Sequence, residues 1–287
     1  VRDDPWTAAR LGPDLRDLIR SRGCALTGVE VLSGSRRVAR ATFRLTFADG
    51  AVLKARVCED RAQAERIEQL VAYLDPLHFP RVRGRHGCAL FEEWIAGRAL
   101  DPPLDRDVFA AGGVVLAGVH STVLPGALRD RALGYVETSG ARLREGLDRL
   151  VALRALAGAD AAAARALAES RPPRRFAPAL VHGDFCGEHM VVDGHGRMHV
   201  VDNETVLVHA PEYDLARTRY RWPMSAPERA AYERGYGDSS AAEGFRAHGD
   251  FWTVVVLVES ALFRLRTGRG AAEIPLALLR ARLDEGT

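Results

Sequence analysis

A chain of 287 residues is long enough for two lobes of about 150 residues each, and its 47% hydrophobic content supplies material for buried cores. Its 40 basic and 38 acidic side chains are interspersed and leave a net charge of +2, so no basic stripe exists to track a phosphate backbone, and nucleic acid is excluded as a partner. The first 23 residues lack an apolar core behind a basic start, TVVVLVESALF is too short to cross a bilayer, and four scattered cysteines show no C-x-x-C spacing; this predicts a cytoplasmic chain with reduced thiols and no membrane partner.

Lys54 is the only lysine in the chain. An Arg-for-Lys bias of this strength fits a GC-rich genome, because both side chains serve as solvated surface charge. A drift of that kind spares a lysine either by chance or where a planar guanidinium does not substitute for a compact ammonium, as against a phosphate. The surrounding pattern is informative. From about residue 28, GVEVLSG, VARATFRLTFADG and AVLKARV read as strands, with period-two alternation in ATFRLTF and a tight turn at Asp49–Gly50. Lys54 thus lies in the third strand of a meander. The first connection, SGSRR, is a Gly/Ser turn whose backbone N–H groups are of the sort that cover phosphates, with Ser33, Gly34 and Ser35 as the candidates.

EDRAQAERIEQLVAYL follows as a helix with Ile67, Leu70, Val71 and Leu74 on one face. Glu65 and Glu68 flank that face, and Glu68, nearer the apolar stripe, is the favoured partner for Lys54. Two more strands are predicted around PRVRG and CALFEEWIAG, the second ending at Gly97. From about residue 100 the pattern becomes helical, through DVFAAGGVVLAGVHSTV and the Ala-, Leu- and Arg-rich span 140–170. The expected fold class is α+β: a small antiparallel sheet lobe over residues 1–96 and a larger, mostly helical lobe over 97–287.

The densest chemistry lies in VHGDFCGEHMVVDGHGRMHVVDNETVLVHAPEYDLAR. HMVVD and RMHVVD form a predicted hairpin around GHG, which brings His189 and Asp202 to one open end, with Asp184 on the loop leading in. Two aspartates in such a mouth suit Mg²⁺ chemistry, one orienting a nucleophile and the other holding a phosphate-bound metal.

These motifs resemble the aminoglycoside phosphotransferase-type small-molecule kinases, a two-lobed branch of the protein-kinase-like fold. VHGDFCGEH is similar to the family's H-G-D-x-x-x-x-N loop, VVDNE to its metal-binding I-D-W-E, and PEYDLAR to its P-x-x-D-L-A helix start. VLKARV resembles the phosphate-binding lysine strand, FEEWIAG the hinge under adenine, and VVLAGVHS the helix ending L-x-x-L-H. The resemblance implies that Lys54 meets the α- and β-phosphates of ATP or GTP, braced by Glu68 or Glu65. Backbone near Glu93 and Ile95 would hold adenine, Asp184 would act as catalytic base, Asp202 would ligate Mg²⁺, and Asp214 would support the catalytic loop. His189 replaces the usual asparagine, as in macrolide phosphotransferases, and puts a softer second ligand at the metal site; Asn203 replaces a tryptophan, a packing difference.

The implied reaction moves a γ-phosphoryl group to a hydroxyl of a small molecule, an antibiotic or related secondary metabolite, by a monomer or homodimer. Two alternatives stand beside it. One is a nucleotide-binding pseudokinase disabled at His189; the other is a zinc hydrolase on His182, Asp184 and His189, which leaves Lys54 and the hinge without a role.

Overall fold

The computed structural model describes residues 5–34, 41–100, 106–173, 176–268 and 270–285. In chain order the elements are α1 (Pro5–Ser21), β1 (Leu26–Gly34), β2 (Ala41–Phe47), β3 (Val52–Val57), α2 (Arg61–Val71), β4 (Val82–His86), β5 (Ala89–Glu93), β6 (Gly97–Ala99), α3 (Arg106–His120), α4 (Gly126–Glu137), α5 (Ser139–Ala152) and α6 (Gly158–Ser170). They continue with β7 (Ala179–Val181), β8 (Met190–Asp193), β9 (Met198–Val200), β10 (Leu207–His209), α7 (Pro211–Arg221), α8 (Ala226–Tyr236), α9 (Ser240–Thr267) and α10 (Glu273–Asp284). The class is α+β, with an antiparallel sheet first and a mostly helical remainder. No helix among the described residues is long and apolar enough to cross a membrane.

The chain divides into two compact units. One comprises Val1–Pro102 with Gly187–Leu207, and the other Pro103–Cys186 with Val208–Thr287. The expected boundary after residue 96 therefore differs in two respects: the first unit runs a few residues further, and it takes back a later segment. Backbone pairing explains the return, since β6 pairs with β8 through Arg98↔Val192 and β8 pairs with β9 through Val191↔His199. Val200 N–H also donates to the His78 carbonyl at 2.7 Å. Gly97 permits this approach, because a Cβ there would lie 2.4 Å from the Val192 carbonyl oxygen.

In the first unit the five-stranded sheet has the order β1-β2-β3-β5-β4, with every pairing antiparallel. Alternation decides which face is which. Phe43, Leu45, Phe47, Leu53, Ala55 and Phe91 are buried with Leu15 and Leu18 of α1, so Lys54 and Arg56 point to the opposite face. The β2–β3 turn forms where expected: Gly50 adopts φ 82° and donates to the Phe47 carbonyl at 3.0 Å. Asp60 caps α2 by accepting the Gln63 N–H at 2.7 Å, and Ile67, Leu70 and Val71 are buried as the periodicity predicts. The Gly/Ser turn is displaced: β1 continues through Ser33 and Gly34, and Ser35 lies outside the described residues.

The second unit is built on α9, which carries the buried run Val254–Val258 and a kink at His248. α3 and α8 cross at close range because two glycines face each other's backbones: a Cβ on Gly113 would lie 2.2 Å from the Tyr232 oxygen, and one on Gly235 1.9 Å from that of Ala110. α7 begins with Pro211 at its first turn, alongside Glu212 and Asp214, and ends with Arg219 and Arg221, a charge order that suits the helix dipole. α8 starts with a capping box between Ser225 and Glu228.

Candidate active site

In the first unit, Lys54 and Arg56 lie two residues apart on one face of β3. Lys54 Nζ is 3.3 Å from Glu92 Oε2 and 3.5 Å from Asp202 Oδ1. The brace on the lysine is therefore Glu92. This corrects the expectation for α2: Glu68 instead accepts from Arg85 Nε at 2.6 Å, and Glu65 pairs with Arg61 at 2.7 Å and Arg85 at 3.6 Å. The physical reason is register. Lys54 and Glu92 are direct cross-strand partners in the β3–β5 ladder, whereas Arg85 on edge strand β4 stands between the α2 glutamates and the sheet centre. Glu92 is 1% exposed and meets Lys54 by charge, for neither of its oxygens has a well-aligned hydrogen bond among the described residues.

Arg56 is a functional candidate that no sequence motif singles out. It is 4% exposed and hydrogen-bonds both Asp202 and Glu204, with Glu92 at 3.9 Å. The signal was available in the strand period, since position 56 must share the face of position 54. Burial lowers the tendency of such a group to stay charged, and Glu92, Asp202 and Glu204 outweigh it, so the guanidinium is held firmly ionised.

The predicted hairpin closes as expected at its open end. Val201 N–H donates to the His189 carbonyl at 2.8 Å, and His189 Nε2 is 3.7 Å from Asp202 Oδ2. Asp202 takes left-handed backbone angles, φ 71° and ψ 53°, which cost a non-glycine residue about 1 kcal/mol or more and mark positions where aim matters more than comfort. Burial pushes its carboxyl up, but Arg56, Lys54 and His189 together hold it well below the usual range. Asn203 is fully buried, and neither of its side-chain polar atoms is hydrogen-bonded among the described residues. Asn203 opens a 3-10 turn, Asn203–Thr205, which is pinned by Arg66 donating to the Glu204 carbonyl at 3.2 Å.

No group of three or more His, Cys, Asp or Glu side chains gathers to cage a metal among the described residues. The Asp202 carboxylate nonetheless fits Mg²⁺, an ion commonly held by one or two carboxylates with phosphate and water completing the octahedron, while the His189 imidazole beside it is the softer donor. Glu93 has its side chain turned to Arg83 and to the Arg81 N–H, the latter at 2.9 Å, while Ile95 follows β5 in irregular backbone.

In the second unit, Asp184 sits in the loop after β7. It accepts Arg221 Nε at 2.9 Å and has Arg217 Nη2 at 3.2 Å, two guanidinium groups one turn apart on α7. The loop itself is held by Asp214, which is fully buried and accepts the backbone N–H groups of His182 at 2.7 Å and Gly183 at 2.9 Å. Burial raises the Asp214 carboxyl, yet the His120 hydrogen bond and the charges of His120 and His182, with the backbone donors, keep it lowered. His120 connects further to the Tyr236 hydroxyl at 2.7 Å. His182, wholly buried, has Nδ1 3.3 Å from the Asp184 N–H, a loop-shaping position.

Residues 34–249 match the model of the phosphotransferase enzyme family, APH. No curated protein sequence matches the chain significantly. Among solved structures the chain is similar to a macrolide 2'-phosphotransferase type I, at 20% identity and TM-score 0.64, covering 94% of this chain and 95% of that one. It is also similar to a spectinomycin phosphotransferase solved with ADP and spectinomycin, at 14% identity and TM-score 0.64 over 91% and 92% of the two chains. A choline kinase from Streptococcus pneumoniae aligns at 13% identity and TM-score 0.66 over 95% and 98%. At these identities the structural likeness carries the fold.

Proposed function

The chain belongs to the phosphotransferase enzyme family, and on that premise we propose that it moves the γ-phosphoryl group of ATP or GTP to a hydroxyl of an antibiotic or related secondary metabolite, for inactivation, self-resistance or biosynthesis. The observation that carries this reading is Lys54 Nζ at 3.5 Å from Asp202 Oδ1: a phosphate-seeking ammonium beside a carboxylate aimed by a left-handed backbone.

In this reading Lys54 neutralises the α- and β-phosphates, with Glu92 holding its ammonium in place. Backbone at Glu93 and Ile95 receives the adenine or guanine edge, and Ser33 and Gly34 at the end of β1 cover the phosphates. Asp202, with His189 beside it, would hold Mg²⁺, which would supply positive charge to neutralise the phosphoryl group during transfer. Asp184 accepts the proton of the acceptor hydroxyl as its oxygen bonds to the γ-phosphorus and the bridge to the leaving diphosphate breaks. Arg217 and Arg221 keep that carboxylate oriented.

Two arginines around the base are poor company for a polycationic acceptor, so acceptors that carry little positive charge, such as nucleosides, are favoured over aminoglycosides. A cytoplasmic enzyme acting as monomer or homodimer completes the proposal. The experiment is transfer of labelled γ-phosphate from ATP and GTP to a panel of aminoglycosides, macrolides, peptide antibiotics and nucleosides, with Asp184→Ala and Asp202→Ala as controls. Transfer that survives Asp184→Ala contradicts the assigned base, and nucleotide binding with no transfer to any acceptor favours the pseudokinase.

A further inference from the structure

The charge cluster of the first unit sets a second fixed cation, Arg56, beside Lys54 among three carboxylates, Glu92, Asp202 and Glu204. Arg56 is 4% exposed behind Lys54 and divides its guanidinium between Asp202 and Glu204. Asp202 Oδ1 is therefore engaged by two positive groups at once, Arg56 in contact and Lys54 at 3.5 Å. A bare divalent cation that approaches the other oxygen, Oδ2, which faces His189 Nε2 at 3.7 Å, still meets both positive charges across the same carboxylate. A divalent cation already wrapped in a triphosphate arrives as a net anion, and the same two groups attract it.

We propose that Arg56 is an internal counter-cation that makes the site refuse a free divalent metal and admit one only together with nucleotide phosphates. The inference rests on the phosphotransferase reading of Asp202. Glu204 makes the exchange workable. Because it holds the other arm of the guanidinium, Arg56 keeps a partner when Asp202 turns to the incoming metal, and the Arg66 bond to the Glu204 carbonyl keeps that partner in place. Lysine in place of Arg56 would keep the charge but lose the fork that spans two carboxylates. Arg56 acts here through Asp202 and is a positioning residue.

The test is binding of Mn²⁺ alone, counted by electron paramagnetic resonance and by its effect on thermal unfolding, with and without ADP, in wild type, Arg56→Met, Arg56→Lys and Glu204→Gln. Wild type is expected to bind Mn²⁺ weakly without ADP and tightly with it. Arg56→Met should bind bare Mn²⁺ more tightly by on the order of tenfold or more, and its unfolding temperature should rise with Mn²⁺ alone. Arg56→Lys should restore the refusal, and Glu204→Gln, which throws the whole guanidinium onto Asp202, should weaken binding of Mn²⁺ with ADP. Equal Mn²⁺ affinity in wild type and Arg56→Met overturns the inference. If Arg56→Met does not fold, bare Mn²⁺ binding to wild type as tight as in the presence of ADP overturns it, and weak bare binding with the Glu204→Gln loss supports it. A wild type that binds neither ADP nor ATP sinks the phosphotransferase reading and the inference with it.

Discussion

Replacing Glu92 by glutamine keeps the volume of the side chain and removes its charge, which isolates its role as the brace on Lys54. At 3.3 Å and an effective dielectric of about 20, the attraction is about 5 kcal/mol before desolvation. Two terms reduce the net loss. The variant no longer buries a charge at a position that is 1% exposed, and Lys54 keeps Asp202 at 3.5 Å. A stability loss of about 2 kcal/mol remains, below the range for leaving a buried charge wholly unpaired. Function should suffer more clearly, because the one carboxylate left to hold Lys54 is the one assigned to the metal. Nucleotide affinity is expected to fall by about tenfold, the equivalent of roughly 1.4 kcal/mol. Glu68→Gln is the paired control. Its salt bridge to Arg85 is 43% exposed on the glutamate side, is worth about 0.2–1 kcal/mol, and does not touch Lys54. Urea denaturation and ATP titration of both variants give the comparison. If Glu68→Gln weakens ATP binding as much as Glu92→Gln, the brace belongs to α2 after all and the register argument fails.

Asp214→Asn leaves one oxygen for two backbone donors and turns an NH₂ group on the other, so a loss of about 2–4 kcal/mol is expected, with faster hydrogen exchange at the His182 and Gly183 amides and reduced transfer; unchanged exchange would remove Asp214 from its loop-holding role. Gly235→Ala should cost about 2–3 kcal/mol by forcing α3 and α8 apart, while Gly118→Ala, whose Cβ meets nothing within 4 Å, should stabilise α3 by about 0.5–1 kcal/mol; chemical denaturation that ranks them the other way contradicts the packing. Burial pushes His209 down to about 4 from an ordinary 6.5. Its unfolded form takes up the proton first, so stability is full above about pH 6.5 and falls as pH drops towards about 4, by up to about 3 kcal/mol. His209→Gln should flatten the unfolding temperature over that window, and an unaltered pH slope would show that other groups set it.

What the sequence disclosed followed from local periodicity. The β2–β3 turn, the face of α2 and the hairpin that carries His189 to Asp202 each depend on residues close along the chain, and each was legible. The partner of Lys54 was not, because Glu68 and Glu92 are both plausible until the β3–β5 register pairs residue 54 with residue 92. Arg56 was hidden differently: in a chain whose other basic residues are all arginine, one more attracted no notice, although the strand period already put it beside the lysine. The arginines on Asp184 required knowing that α7 presents positions 217 and 221 to the loop after β7, a packing fact with no local signature.

The borrowing of Gly187–Leu207 by the first unit sets an order of assembly. On the ribosome the early sheet emerges with β6 and the His78 carbonyl lacking their hydrogen-bond partners until Pro103–Cys186 has been made, so the half of the cluster bearing Lys54 matures only after about half of the helical unit exists. A truncated product that stops short of the β8–β9 hairpin would keep its lysine and arginine with no aspartate to receive them, and such nascent fragments are natural clients for chaperones.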